Sequence, residues 1–317
     1  SELVQDGPFL EFDVVVPVPH KGRNLALLFV GGMQSVQQSH DRDELVGFLQ
    51  ALTNIMVVAI ENRKLARREL EQEALRKELE IAGDVQQLLF PERLPKTGVV
   101  RLEASYLPHD MVGGDYYDYI PLADDMFLLC IADVSGKGVG AALMMSAFQS
   151  SLRTLVRRTA SLEEIVHALN THVMESARGE KFITFFIALY DRTRNSLRYI
   201  NAGHNPPIFF NREGSCSLLS DGCTVLGAID PLPFVKEGSV TDISGSLLFC
   251  YTDGLTETVN EEGREYGIQQ VIDYLQQSGS KDLNMIHQDI IIGLDRFKGR
   301  NSYHDDITML SCSIAAD

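Results

Sequence analysis

The stretch Met126-Phe-Leu-Leu-Cys-Ile-Ala-Asp133-Val-Ser-Gly136-Lys-Gly138-Val-Gly140-Ala-Ala142 decides how this chain of 317 residues folds. Its apolar first part, 126–134, predicts a buried strand, and the segment 138–157 has the spacing of a helix. The glycines between them let the backbone turn tightly beneath Asp133. In such a turn the Asp133 carboxylate and the Val134 carbonyl can face one cation.

The same glycines also fit a different pattern. Gly136-x-Gly138-x-x-Ala141 matches a dinucleotide-binding fingerprint. Its context does not, because Arg157 and Arg158 stand where an acidic residue is required and no alternating strand–helix repeat surrounds it. A phosphate loop is excluded as well, since no Gly-Lys-Ser/Thr is present here. Taken alone, the segment could still be a plain strand-to-helix turn.

Three further acidic motifs lie at the ends of apolar runs. They are Gly113-Gly114-Asp115, Thr252-Asp253-Gly254-Leu255-Thr256-Glu257 and His304-Asp305-Asp306-Ile307-Thr308. Carboxylates beside buried strands carry a large desolvation cost unless positive charge meets them. Lys137, next to the Asp133 motif, is the only Lys or Arg within two residues of any of the four motifs. Mg²⁺ and Mn²⁺ prefer such oxygen ligands. Each motif alone could be a turn, but together they predict two-metal hydrolysis of a phosphate ester.

Composition narrows the class of protein. A net charge of −16 argues against nucleic-acid binding, which requires Lys and Arg to neutralise phosphates. The five cysteines include no Cys-x-x-Cys pair and are expected to be reduced thiols of a cytoplasmic protein. No apolar run is expected to approach the roughly 20 residues of a membrane span. No secretory signal is visible, and no membrane partner is predicted.

The N-terminal third differs in texture from the rest. Residues 10–33 have a hairpin signature around the turn at 20–23. An amphipathic helix is predicted from Asp41, continuing through 61–82, which holds no Gly or Pro. Its apolar seam is interrupted by polar residues, so it is either an imperfect dimerising coiled coil or a solvated helix with ion pairs. The predicted segments are 1–60, a helical linker over 61–90, and a third domain over 91–317.

From about residue 100 the pattern indicates an α+β protein. Strands in hairpin-like pairs and helices in pairs favour antiparallel sheets covered by helices, an αββα sandwich. The predicted strands are 101–107, 116–121, 126–134, 181–190, 196–201, 207–211, 245–251 and 306–313. The predicted helices are 138–157, 161–176, 266–277 and 281–297.

The acidic motifs together with Asn201-Ala-Gly-His204-Asn-Pro-Pro resemble those of the metal-dependent PPM (type 2C) protein phosphatases, in particular the bacterial SpoIIE/RsbU-type branch. The resemblance covers roughly residues 80–317. It implies a β-sandwich flanked by helix pairs and two Mn²⁺ or Mg²⁺ ions at one edge. It also implies dephosphorylation of phosphoserine or phosphothreonine through a metal-activated water, usually on an anti-sigma-factor antagonist of the STAS type.

The resemblance implies a role for individual residues. Asp133 would bridge the two metals with the Val134 carbonyl as a further ligand, Asp253 and Asp305 would hold the second metal, and Asp115 would bind the first directly or through water. The residues Gly136, Glu257 and His204 would surround the metal ligands without binding the ions themselves. His204 is expected to shape a turn. Asp306 is expected to point away, because neighbouring strand residues face opposite sides.

One feature departs from the eukaryotic members of that family. They carry an Arg before the first acidic motif that grips the substrate phosphate, whereas 107–112 contains none, which leaves phosphate binding to the metals. His109 in this stretch could serve as a general acid, or it could be a surface histidine.

The segment 1–60 resembles the last part of a GAF sensor domain and is expected to be too short to enclose a ligand. The resemblance rests on Phe12-Asp-Val-Val-Val-Pro-Val-Pro, Leu25-Ala-Leu-Leu-Phe-Val-Gly-Gly and a helix that ends in Ala59-Ile-Glu-Asn62. Two further hypotheses about function follow from these features. One is a dimeric switch in which the helix over 41–90 controls catalysis, with Gly83 as a weak point. The other is an interaction module with little or no catalysis.

Overall fold

The computed structural model describes residue 12 and residues 14–20, 23–32, 39–123, 125–279 and 281–316. The chain divides into two compact units, Ser1–Glu78 and Leu79–Asp317. In the first unit, β1 (Val14–His20) and β2 (Arg23–Val30) form an antiparallel pair, which confirms the predicted hairpin. The helix α1 extends from Ser39 to Gln87, so it begins slightly before the predicted start at Asp41 and ends within the predicted helical linker over 61–90. The GAF-like resemblance of this segment stays a prediction.

The apolar part of α1 is largely exposed. Phe48, Ile55 and Met56 each have more than half of their surface accessible. By length and composition alone, an 18-residue window within Glu44–Gln87, with a mean hydropathy of 1.5, would be apolar enough to cross a membrane. The expectation that no apolar run approaches the length of a membrane span does not hold for this stretch. The absence of a membrane partner therefore stays a prediction.

The second unit contains two larger sheets. One has the order β10-β7-β6-β5-β4, with β11 paired to β7, and the other has the order β3-β13-β12-β8-β9. All pairings are antiparallel except β10 with β7. The strands are β3 (Val100–Leu107), β4 (Tyr116–Ala123), β5 (Met126–Val134), β6 (Ile183–Asp191), β7 (Ser196–Ala202), β8 (Ile208–Phe210), β9 (Cys216–Leu218), β10 (Gly222–Cys223), β11 (Gly238–Thr241), β12 (Leu247–Tyr251) and β13 (Ile307–Ile314).

Helices cover the outer face of each sheet. The helices are α2 (Val139–Val156), α3 (Leu162–Ala177), α4 (Asp253–Thr256), α5 (Ile268–Ser278) and α6 (Leu283–Lys298). The helices α2 and α3 pack on the sheet that contains β5, and α5 and α6 pack on the sheet that contains β12. The predicted αββα sandwich is confirmed.

Strand β5 shows why the sequence adopts this layering. Its side chains alternate, so that Leu128 and Cys130 pack beneath α2 and α3 whereas Leu129 and Ile131 meet the opposite sheet. Both faces are therefore buried, which explains a continuous apolar run rather than an alternating one. Because the strand is buried on both faces, the Asp133 carboxylate at its end carries a desolvation cost.

The hydrogen-bond register brings the acidic motifs to one edge of the sandwich. Tyr116 pairs with Ala132, so Asp115 and Asp133 are neighbours at the adjoining ends of β4 and β5. In the other sheet Tyr251 pairs with Met309, which juxtaposes the end of β12 with the start of β13. Each sheet contributes two of the acidic motifs.

Some short elements were not predicted. The strands β9, β10 and β11 have two to four residues each, and α4 is a single turn. Neither a helical nor an alternating period can be recognised over so few positions. Their pairing depends on neighbours distant in the sequence, as for Gly222 beside Asn201.

Candidate active site

Asp115 is held by two threonines from the opposite sheet. Its Oδ2 accepts hydrogen bonds from Thr252 Oγ1 at 2.8 Å and from Thr308 Oγ1 at 2.5 Å. The side chain is almost fully buried. Burial and then the charge of Asp133 raise its pKa well above the usual range, and the two hydroxyls oppose the rise. Neither threonine was predicted to take part in the site, although each lies inside an acidic motif.

Asp133 lies at the centre of the acidic edge. Burial, followed by the charges of Asp253, Asp305 and Asp306, raises its pKa to about 7. The carbonyl oxygen of its neighbour Val134 lies close to the loop before β4. A Cβ on Gly114 in that loop would come within 2.9 Å of the Val134 oxygen. The close approach of the two loops therefore requires glycine at position 114.

Asp253 and Asp305 come from the adjoining ends of β12 and β13. Asp253 is the first residue of α4, and burial followed by the charge of Asp305 raises its pKa. A Cβ on Gly254 would meet the Asp306 carbonyl oxygen at 2.1 Å. Glycine after Asp253 is thus needed for contact between the segments, as well as for the turn.

Asp306 has a structural role. Its Oδ1 accepts from the His109 backbone N–H at 2.7 Å, and its Oδ2 accepts from that of Gly114 at 2.8 Å. The side chain is directed to the backbone of the loop that carries Asp115, and it holds that loop in place. The expectation that Asp306 points away from the acidic edge is wrong: its carboxylate lies against the loop that carries Asp115, and its charge adds to the rise in the pKa of Asp115 and of Asp133. His109 contributes its backbone to this contact, and its imidazole lies 4.0 Å from the exposed Asp110.

His204 is buried next to the strand that flanks Asp133. Its Nδ1 is 2.9 Å from Thr184 Oγ1, and Thr184 pairs with Asp133 in the register of β5 and β6. The His204 backbone N–H donates to Asn201 Oδ1, which closes the turn after β7. Burial lowers the pKa of His204 to about 3, so the ring is neutral at physiological pH. These contacts agree with the expected turn-shaping role.

The two remaining predicted residues lie at the margin of the site. Gly136 has a φ of 88°, a left-handed conformation that a residue with a Cβ rarely adopts, and a Cβ there would meet Lys181 Nζ. Glu257 is exposed beyond α4; partial burial, then the charge of Asp253, raises its pKa. Neither contributes a side chain to the group formed by the four aspartates.

The donor chemistry of this edge fits hard divalent cations. Asp115, Asp133, Asp253 and Asp305 converge with the Val134 carbonyl, and burial disfavours the charged form of the inner carboxylates unless a cation is present. Among the residues that the structure describes, no three His, Cys, Asp or Glu side chains form a ready-made ligand cluster. Carbonyl and water oxygens would therefore have to complete the ligands of each ion beside the carboxylates, as is usual for Mg²⁺.

The sandwich and its acidic edge define the class of protein, a PP2C-type phosphatase domain. The PP2C domain of SiaA from Pseudomonas aeruginosa superimposes with a TM-score of 0.69 and 21% identity, over 78% of this chain and 99% of that domain. The family model of stage II sporulation protein E (SpoIIE) matches residues 123–315. The chain belongs to the SpoIIE family.

Two relatives are similar over most of this chain. Phosphoserine phosphatase RsbU of Bacillus subtilis is 27% identical over 243 residues, which is 75% of this chain and 70% of RsbU. Protein IcfG of Synechocystis sp. is 27% identical over 307 residues, which is 87% of this chain and 47% of IcfG. The chain thus spans about half the length of IcfG.

Proposed function

We propose that this chain is a metal-dependent serine/threonine protein phosphatase. The observation that carries the proposal is the convergence of Asp115, Asp133, Asp253 and Asp305 from two sheets, with a pKa of about 7 for Asp133. Carboxylates that raise one another's pKa in this way, three of them at least partly buried, repel one another unless cations neutralise them. The similarity to RsbU, a phosphoserine phosphatase, supports the reaction type.

The chemistry divides between the ions and the chain. Two Mn²⁺ or Mg²⁺ ions, when bound, would supply positive charge for polarising the phosphoryl group and for lowering the pKa of an attacking water. Asp133 would hold both ions with the Val134 carbonyl as a further ligand, Asp253 and Asp305 would hold the second ion, and Asp115 would hold the first directly or through water. Thr252 and Thr308 orient Asp115, whereas Asp306 fixes its loop. No side-chain nucleophile is needed, so we expect no phospho-enzyme.

The proposed substrate is a phosphorylated protein of the STAS type. This substrate rests on the family resemblance and on the similarity to RsbU. An open acidic edge suits a phosphorylated segment presented by another protein, since Asp305 is 43% exposed. A cytoplasmic location is part of the same proposal. Neither a nucleic acid nor a membrane is proposed as a partner.

Substitution of the central carboxylates tests the enzyme assignment. Asp133→Asn and Asp253→Asn each remove one negative charge from the ion-binding edge, so we expect Mn²⁺-dependent release of phosphate from phosphoserine STAS proteins to fall by at least a hundredfold, the order of effect of losing a main charge-stabilising group. Asp273→Asn, on the exposed face of α5, is the matched control. Full activity in either site variant, or in excess EDTA, would refute the assignment.

We further propose that α1 regulates the site through its C-terminal turns. Gln86 is buried and forms two hydrogen bonds with Gly113, donating to its carbonyl at 2.7 Å and accepting from its N–H at 3.1 Å. A Cβ on Gly83 would lie 2.4 Å from the Met111 carbonyl oxygen. The loop that carries Asp115 is thus in direct contact with the end of α1. Displacement of this helix end by a signal would disturb Asp115.

The helix over 41–90 is also the proposed homodimer interface. The support is its row of exposed apolar side chains, including Phe48, Leu52 and Ile55. Ile55→Glu would place a charge in the apolar seam, so we expect a dimer of the whole chain to become a monomer in sedimentation velocity. Ala74→Glu, which adds the same charge outside the seam, should leave the dimer intact. A monomeric parent chain, or a dimeric Ile55→Glu variant, would exclude this interface.

The alternative function is a dimeric interaction module with little or no catalysis. The same exposed apolar helix favours it. The two functions differ in what they require of the acidic edge, because a non-catalytic module has no use for cations there. A chain that dimerises but releases no phosphate with any divalent cation would support the module.

A further inference from the structure

One ammonium group reaches the acidic edge. Lys137 lies on the loop between β5 and α2, and its Nζ is 2.9 Å from Asp305 Oδ2. It also donates to the His304 carbonyl. Its charge opposes the rise in the pKa of Asp253. In the part of the chain that the structure describes, no other Lys or Arg forms an ion pair with any of the four aspartates of the site.

The neighbouring cation, Lys181, has a different position. Its Nζ donates to the Ser135 carbonyl at 2.8 Å and packs beneath Gly136. Lys181 therefore supports the loop from below, whereas Lys137 extends from the loop towards the carboxylates. The two lysines contact different backbone segments, since Lys181 donates to Ser135 and Lys137 donates to His304.

The Lys137–Asp305 contact is easily exchanged. Both side chains are close to half exposed, at 44% and 43%, and such pairs contribute little to stability because water and salt screen them. A divalent cation at Asp305 would carry twice the charge of the ammonium. Binding of that cation would release Lys137, which remains attached at the rim of the site.

Once released, the Lys137 ammonium would remain beside the carboxylates that the proposed function assigns to the ions and to the phosphate ester. The stretch 107–112 carries no Arg that could hold the phosphate. A lysine ammonium binds phosphate oxygens as a point charge with several donors. We propose that Lys137 is a phosphate-binding residue that exchanges Asp305 for the phosphoryl oxygens of the substrate when cations occupy the edge. The proposal rests on the proposed phosphatase function.

The test compares Lys137→Gln with the parent chain, using the whole protein. Titration calorimetry measures Mn²⁺ affinity, and inhibition by inorganic phosphate measures phosphate binding. We expect Lys137→Gln to bind Mn²⁺ at least as tightly, because a competing positive charge has been removed. We expect the inhibition constant for phosphate and the KM for a phosphoprotein to rise about tenfold, a change of about 1.4 kcal/mol.

Two further variants separate this role from general damage. Lys137→Arg retains the charge and should retain most phosphate affinity. Lys236→Gln breaks an exposed ion pair with Asp221, 2.7 Å in length, and should change neither quantity. Weaker binding of both Mn²⁺ and phosphate by Lys137→Gln would indicate a structural role and overturn the proposal, as would unchanged phosphate binding.

Failure of the phosphatase assignment would give a different result. The parent chain would then release no phosphate at any Mn²⁺ concentration. In that event, calorimetric titration of inorganic phosphate into the Mn²⁺-saturated chain replaces the inhibition assay. Weaker binding by Lys137→Gln would still support the phosphate contact, and equal binding would overturn it.

Discussion

The hydroxyl groups of Thr252 and Thr308 set the environment of a carboxylate that is almost fully buried. Both donate to the same oxygen of Asp115, and Thr252 Oγ1 in turn accepts from the Thr308 backbone N–H at 2.9 Å. A hydrogen bond to a charged group contributes about 1.5–3 kcal/mol, so two of them offset much of the desolvation cost. Sequence alone could not reveal this, because a threonine beside an aspartate is equally typical of a turn.

His287 is a buried residue that influences stability rather than chemistry. Its ring lies between two serine hydroxyls, 2.9 Å from Ser105 Oγ and 2.7 Å from Ser311 Oγ. Burial lowers its pKa from 6.5 to about 3, with a smaller effect from the charge of Lys96. The folded state therefore keeps this ring neutral where the unfolded chain binds a proton.

The sign of the pH dependence follows from that difference. The stabilising contribution is fully present above pH 6.5 and is lost as the pH falls towards 3, by about 1.4 kcal/mol per pH unit for one proton. We expect His287→Gln to be less stable at pH 7.5 but to lose less stability between pH 6 and pH 5 than the parent chain. Urea unfolding followed by tyrosine fluorescence measures this. Parallel pH profiles would show that His287 is not the group responsible.

At the scale of elements, the end of α1 is the contact with the most direct consequence for the site. Gly83 was predicted to be a weak point of the helix. In the structure it has a second role, because the absence of a Cβ lets the helix backbone approach the Met111 carbonyl. Such a contact joins residues far apart in the sequence, so no local pattern could predict it. The long strands and paired helices, by contrast, follow from periodicity that is strong over eight or more residues.

Removal of the Gln86 side chain tests this contact. Gln86→Ala leaves the buried N–H and C=O of Gly113 without partners, at a cost of about 1–3 kcal/mol for each group. We expect phosphate release to require more Mn²⁺ and to fall at least tenfold. Gln87→Ala, at the exposed neighbouring position, is the control. Gly83→Ala should also lower activity, although alanine normally stabilises a helix by about 1 kcal/mol. Unchanged activity in both site-facing variants would exclude the regulatory contact.

At the scale of the whole molecule, the acidic edge depends on two sheets that are distant in the sequence. Asp115 and Asp133 come from one sheet, and Asp253 and Asp305 come from the other. The motifs and their order in the sequence predicted these four aspartates as members of the site, because each motif lies at the end or the start of an apolar run. The threonine anchors, the contact of Asp306 with the loop and the position of Lys137 required the packed sandwich, since each joins residues more than 100 positions apart.

The central claim is that these four carboxylates form one site for divalent cations. Titration calorimetry of Mn²⁺ into the whole chain at pH 7.5 tests it most directly, with Asp133→Asn and the control Asp273→Asn measured alongside. We predict two bound ions for the parent chain and for Asp273→Asn, and loss of at least one ion for Asp133→Asn, because its carboxylate is the proposed bridge. Absence of Mn²⁺ binding by the parent chain, or equal binding by Asp133→Asn, would contradict the claim.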